Sequence, residues 1–215
     1  MSVNMNVRRV GPKLLAALRR DASLTSSLCD GLLDFDAAAY EAASLADVPA
    51  EGRDAARARL APRLARAAGQ RREALEPLLA AGLSEEELGD ALHLGRAFWG
   101  MDELIGAPAG QRIVAEAIGE PVGGDVGYGP ARLISPEALA EIAPALDAVT
   151  LADGEPRFRA REAKYIADLT AQGLSAPAPC TAEELDEWTW RPFCALRVFV
   201  REALDGGAWL LRWYD

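Results

Sequence analysis

The chain is short of the residue types on which recognisable catalytic or metal chemistry is usually built. It has a single histidine, His93, so no histidine pair can hold a metal and any Ser-His or Cys-His catalysis would depend on that one ring. The three cysteines, Cys29, Cys180 and Cys194, lie far apart without a Cys-x-x-Cys. That spacing argues against a disulfide framework and a zinc site, and it implies reduced thiols and a cytoplasmic protein. No run of about eighteen apolar residues occurs, which excludes a membrane-spanning helix. The first twenty residues carry Arg8, Arg9, Lys13, Arg19 and Arg20 with no unbroken apolar core, so they read as neither a secretory signal nor an anchor. Neither the P-loop pattern nor the dinucleotide Gly-x-Gly-x-x-Gly pattern is present, and no cofactor or metal is expected. There is no internal repeat and no low-complexity tract.

What is there is ordinary globular material. With 215 residues, 50% of them hydrophobic and 26% charged, the chain can bury one sizeable core. Its net charge of −10 disfavours binding to nucleic acid or to an anionic membrane surface and leaves a basic protein partner open. The plainer meaning of the acidity is a solvated surface. Against that background residues 53–72 stand out, with seven arginines against Asp54 alone. The window is net +6, which leaves −16 for the remainder. It lacks the interleaved aromatics of a nucleic-acid surface, so its arginines are expected to pair with the protein's own carboxylates. Leu60, Leu64 and Ala67 give it a narrow apolar stripe.

Glycine is concentrated in the centre of the chain. Gly123 to Ile134 reads Gly-Gly-Asp-Val-Gly-Tyr-Gly-Pro-Ala-Arg-Leu-Ile and leads into Ser135-Pro136-Glu137. Ser135 is a good N-cap, Pro136 suits the first helical position and Glu137 meets the positive end of the dipole. Leu139, Ile142, Ala143 and Leu146 then recur at helical spacing. The glycine stretch is a shaped loop, with Asp125, Tyr128 and Arg132 as its polar and aromatic side chains. It is either a tight connection that delivers residues 132–134 to a sheet, or a site. As a site it lines the main cleft, with Tyr128 as proton donor and Arg132 as anion anchor. Arg132 must then await an anion or pair with a carboxylate such as Asp102 or Glu103 at the end of an upstream helix.

At these residues the chain resembles a family. Asp-Val-Gly-Tyr-Gly-Pro-Ala-Arg followed by Ser-Pro-Glu-Ala-Leu is similar to the signature of the YfbM-like proteins, bacterial proteins of unknown function. Arg8-Arg9-Val10 with Pro12 and Leu14-Leu15 resembles the family's opening strand and helix, and Leu33-Asp34-Phe35-Asp36 its Leu-Asp-Leu-Asp element. Arg96 to Met101 resembles the segment that usually follows that element directly, and Leu196 to Asp215 the closing helix and strand. The resemblance implies a compact mixed α/β domain and carries no catalytic residues with it. Because two family elements flank it, roughly 41–83 reads as a helical insertion, dispensable for folding.

The remaining elements follow from pattern. Residues 3–10 alternate as a strand, Pro12 opens a helix, and a short helix through Leu24 and Leu28 leads to the Leu32-Leu33 pair. Asp34 and Asp36 flank Phe35 and could form an acid–base or metal pair, but Asp36 reads first as the N-cap of the helix that starts at Ala37. Ser84 and Glu87 form a capping box for a helix that places Leu88, Leu92, Gly95 and Trp99 on a core-facing side. A short helix spans 111–118, residues 153–156 make a turn, and 158–169 are helical. Thr181 and Glu184 cap a helix that breaks before Pro192 and resumes to Gly206. Trp209, Leu211 and Trp213 alternate with Leu210 and Arg212 in a closing strand.

The sum is an α/β mixed (α+β) fold: a single domain spanning 1–215, with helices packed on a small mixed sheet plus the helical insertion. Two functions fit it. One is a noncatalytic binding protein, for instance one that inhibits a basic partner. The other is an enzyme or binder of a small polar ligand at the Asp125–Arg132 loop. The oligomeric state is not legible.

Overall fold

The computed structural model describes residues 3–31, 33–114 and 118–215. Five strands form one sheet in the order β2-β1-β5-β4-β3: β1 (Met5–Val10), β2 (Ala91–Gly95), β3 (Glu120–Asp125), β4 (Pro130–Ile134) and β5 (Trp209–Tyr214). The fold is mixed α/β as expected, but every strand pairing is antiparallel. The first and last strands pair along their full length, Met5 opposite Tyr214 through Val10 opposite Trp209, so the two ends of the chain make the centre of the sheet.

Ten α-helical segments are described: α1 (Pro12–Arg20), α2 (Leu24–Leu28), α3 (Ala37–Leu45), α4 (Arg53–Ala80), α5 (Phe98–Ile105), α6 (Pro108–Gln111), α7 (Pro136–Asp147), α8 (Leu151–Ala171), α9 (Ala182–Leu185) and α10 (Arg191–Asp205). They cover both faces of the sheet. On one face Met5, Val7, Ile134 and Leu210 meet Met101 and Leu104 of α5, Leu139 and Ile142 of α7, and Phe193 and Leu196 of α10. On the other, Val10, Leu133, Leu211 and Trp213 meet Leu14 and Leu18 of α1, Leu28 of α2, and Leu75 and Leu78 of α4. Burial on both faces is why β5 is almost wholly apolar, a composition more usual for a strand covered on both sides than for a half-solvated one.

Several caps fall where the sequence puts them. Ser135 accepts from the Ala138 N–H, Asp36 from the N–H groups of Ala38 and Ala39, and Glu184 reaches back to the Thr181 N–H at 2.7 Å. Other expectations need correction. The Ser84 capping box forms, but it starts only a single 3-10 turn, 85–88, and Leu92 to Gly95 are strand β2. The reason is Gly89. Its φ of +71° turns the chain, and a Cβ there would strike the Arg9 carbonyl of the neighbouring strand. Residues 153–156 are not a turn but the first turns of α8, capped by Thr150. Pro156 falls in the second turn of that helix, where it has no N–H to give to the Ala152 carbonyl. The 111–118 helix is instead α6 followed by a turn over 112–114, and its expected remainder at 115–117 lies outside the described residues, as does Leu32.

The arginine-rich segment is α4, and it is divided. Its first half is exposed on most positions, whereas Ala74, Leu75 and Leu78 near its end are buried in the second core. The expected stripe of Leu60, Leu64 and Ala67 is only half-buried. Arg57 pairs with Glu41 and Asp54, and Arg71 pairs with Glu85 while its Nε donates to the Leu33 carbonyl. Arg59, Arg63, Arg66 and Arg72 pair with no carboxylate among the described residues, so self-neutralisation is only partial.

Candidate functional site

The sequence-predicted site is a β-hairpin. β3 and β4 pair with Val122 opposite Ala131, and the glycines shape the turn between them. Asp125 Oδ1 accepts from the N–H groups of Gly127 and Gly129 at 2.9 and 3.0 Å. Those two bonds hold its carboxyl below the usual carboxylate range. Gly127 runs against the end of β5, where a Cβ would meet the Tyr214 carbonyl oxygen at 2.8 Å. Tyr128 is exposed at the tip, with its N–H 3.3 Å from the same carbonyl. Arg132 donates to the Gly119 carbonyl at 2.9 Å and makes no contact with Asp102 or Glu103, which both pair with Arg161 of α8. Tyr128 and Arg132 do share a pocket with Arg212 and Tyr214, but it holds only about 50 Å³. The pocket that the hairpin lines is thus small, and the hairpin's glycines shape the turn that leads into β4.

A groove of about 910 Å³ lies elsewhere, framed by α5, α8 and the helical turn between α9 and α10. Two glycines let these elements close up. Gly100 of α5 faces α8, where a Cβ would meet Phe158 at 2.8 Å and Thr189 at 2.9 Å, and Gly154 of α8 lies against the backbone of Leu104. Arg161 binds Asp102 and Glu103, and Arg157 donates to the Glu103 and Leu104 carbonyls at 3.0 and 2.6 Å. Arg157 thereby satisfies carbonyls that the end of α5 would otherwise leave open. The third wall, 186–190, is a π-helical turn in which the Arg191 N–H bonds the Asp186 carbonyl five residues back. Pro192 follows directly and has no N–H to give to the residue four before it. Single π turns of this kind recur at functional sites.

What distinguishes the groove is its aromatic lining. Trp99, Tyr165 and Trp188 are 55%, 57% and 58% exposed, and Phe158 and Pro192 lie beside them. Trp99 was expected in the core. It stands outside because the strand at 91–95 breaks the helical register on which that expectation rested, and α5 begins afresh at Phe98. The polar lining is Arg96, Arg161, Glu162, Tyr165 and Thr189. Glu162 is engaged on both oxygens, with the Cys180 N–H at 2.6 Å and Arg159 at 3.1 Å. Arg161 is held by its two acids, and Arg96 is exposed with no ion pair among the described residues.

Neither Cys29 nor Cys180 is poised as a nucleophile. Burial pushes the Cys29 thiol up to about 12, and burial followed by the Glu162 and Glu184 charges raises that of Cys180. No group of three or more potential metal ligands occurs among the described residues. His93 is not isolated, however. Its Nδ1 is 2.9 Å from Asn6 Oδ1 across the β1–β2 pair and its Nε2 is 3.3 Å from Asp34, which also pairs with Arg8. Asp34 is thus bound to a strand arginine, while Asp36 caps α3.

No protein family model matches this chain, no curated protein matches it, and no solved structure does. No helix of the described residues is long and apolar enough to cross a membrane.

The close packing of the groove floor makes a test. Gly100→Ala is expected to cost about 1–3 kcal/mol, because the added methyl overpacks against Phe158 and Thr189. Chemical denaturation would measure it, and an unchanged midpoint would show that α5 and α8 are free to separate.

Proposed function

We propose that this protein is a noncatalytic binding protein, a YfbM-like domain by the residues quoted above, which takes its ligand in the groove between α5, α8 and the 186–190 turn. One observation carries the reading: three large aromatic side chains, each more than half exposed, converge on a single concave surface. Scattered exposed apolar residues are normal, but a contiguous set around a cavity within the size range of ligand pockets marks a binding site. The groove's polar groups are two guanidiniums, an already engaged carboxylate, a tyrosine and a threonine. That set suits holding a molecule rather than transforming it, since it supplies no nucleophile beside a base. A basic partner is the less favoured occupant here, because the groove's unpaired charge is positive. Three cysteines without a disulfide accord with a cytoplasmic location.

The uncharged fluorophore phenylnaphthylamine tests the site. Saturable binding near one molecule per chain is expected, and Trp99→Ala with Trp188→Ala should weaken it by about tenfold or more, given roughly 1 kcal/mol or more per aromatic contact. Both side chains are over half exposed, so the melting temperature should move little. Undiminished binding in the double variant would remove the groove as the site.

A further inference from the structure

Within the groove reading, on which this step rests, we infer that the ligand is a small planar aromatic molecule carrying an anionic group, and that Arg96 is the residue that holds the anion.

Most of the charges in the groove are already committed. Arg161 faces both Asp102 and Glu103, with distances of 3.0 and 2.8 Å to their carboxylates. Glu162 is occupied by the Cys180 N–H and by Arg159, which also pairs with Glu155 and donates to the Cys180 carbonyl. Each of those charges is balanced inside the α5–α8 and α8–loop contacts. Arg96 lines the same cavity, is exposed, and has neither a carboxylate nor a carbonyl partner among the described residues. It lies just before α5, three residues before Trp99, and the Arg96 guanidinium and the Trp99 indole line the same cavity. A guanidinium offers a planar fork of donors that a carboxylate, sulfonate or phosphate accepts in pairs. Phe158 and Tyr165 of α8 and Trp188 of the 186–190 turn line the cavity as well, and aromatic rings can stack against a flat apolar body. The volume of about 910 Å³ accommodates a molecule of that kind with room to spare.

The background charge makes the inference sharp. A chain at −10 repels anions in general, so an apolar surface without a local cation would favour an uncharged ligand over an anionic one of the same shape. Preference for the anion therefore has to come from a specific cation.

Two fluorophores of nearly the same shape separate the two levels of the claim: anilinonaphthalene sulfonate and its uncharged analogue phenylnaphthylamine. The sulfonate is expected to bind about tenfold more tightly than the neutral analogue at low salt, the scale of one hydrogen bond to a charged group. The difference should shrink as salt rises, because the anchoring charge is exposed. Arg96→Gln should abolish the preference, lowering the sulfonate's affinity by much more than the neutral probe's, and Arg96→Lys should restore part of it. Circular dichroism of both variants should match that of the wild type, which excludes binding to a loosened state. Equal affinities for the two probes, or a preference that survives Arg96→Gln, would overturn the role of Arg96 and leave the groove as a neutral apolar site. Failure of both probes to bind would instead remove the groove reading itself.

Discussion

Replacing residues 43–82 with a short glycine–serine linker is expected to leave a molten or insoluble product. The segment looks detachable in the sequence, since it separates two elements that adjoin in the resembled family. In the fold its last turns are core. Ala74, Leu75 and Leu78 of α4 are buried against Leu14, Leu18, Leu28 and Trp213, on the face of the sheet that α1 and α2 cover only in part. Truncating one buried leucine costs about 2–5 kcal/mol, and removing two outright spends most of a typical domain's 5–15 kcal/mol. Arg71 adds a second tie, through Glu85 and the Leu33 carbonyl. A shorter excision behaves differently. Ala37 and Ala38, at the start of α3, lie beside Ala68 and Arg71 around one cavity, so a few residues can join Tyr40 to Ala67. Replacing 41–66 alone should preserve a cooperative thermal transition. A sharp transition after the larger excision would show that α4 is an appendage; loss of folding after the smaller one would show that its exposed half is also needed.

The contrast between α4 and the sheet shows what the sequence made legible. Strong, self-contained signals survived: the β5 alternation, the Ser135-Pro136-Glu137 helix start and the Asp36 cap each depend on neighbours within a few residues. Failures arose where tertiary contact overrode a plausible local pattern. Leu88, Leu92, Gly95 and Trp99 match helical spacing well, yet Gly89 has to turn the chain against the Arg9 carbonyl, and Leu92 and Leu94 instead face one side of a strand. The Gly89-Asp90 pair was the available signal. The same error hid the groove, because it assigned Trp99 to the core, and Tyr165 and Trp188 come from segments whose nearness to α5 no short-range pattern reveals. The central hairpin was legible as a shaped turn, but a turn's shape does not say whether it serves a ligand or the next strand.

Asp34→Ala is expected to be among the most damaging single substitutions, with a loss of about 3 kcal/mol at neutral pH, because it strands a buried guanidinium. Arg8 projects from β1 at 1% exposure, its ion-pair partner is Asp34, and its Nη1 donates to the Gly89 carbonyl at 2.9 Å. Burial pushes the Asp34 carboxyl up, but the hydrogen bonds and charges of His93 and Arg8 outweigh burial and hold it below its ordinary 3.8. The sign of the pH effect follows. A carboxyl with a depressed folded-state pKa stabilises the fold fully above its unfolded value, and that contribution is lost as pH falls through the folded value. The Asp34→Ala and wild-type stabilities should therefore converge as pH drops below about 4 and the Asp34 carboxyl takes up its proton. Exposed carboxylates such as Asp21, Glu87 and Glu137 are also depressed, but they are common to both proteins and cancel in the difference. Arg8→Met combined with Asp34→Leu should recover part of the loss, since a buried pair replaced by apolar side chains of similar volume is often tolerated where a broken pair is not. Urea denaturation of the three proteins across that pH range reads all of this directly. A loss below about 1 kcal/mol, the range of exposed ion pairs, would place Arg8 in contact with water and make the pair a surface contact rather than the tie between the 33–36 segment and the sheet.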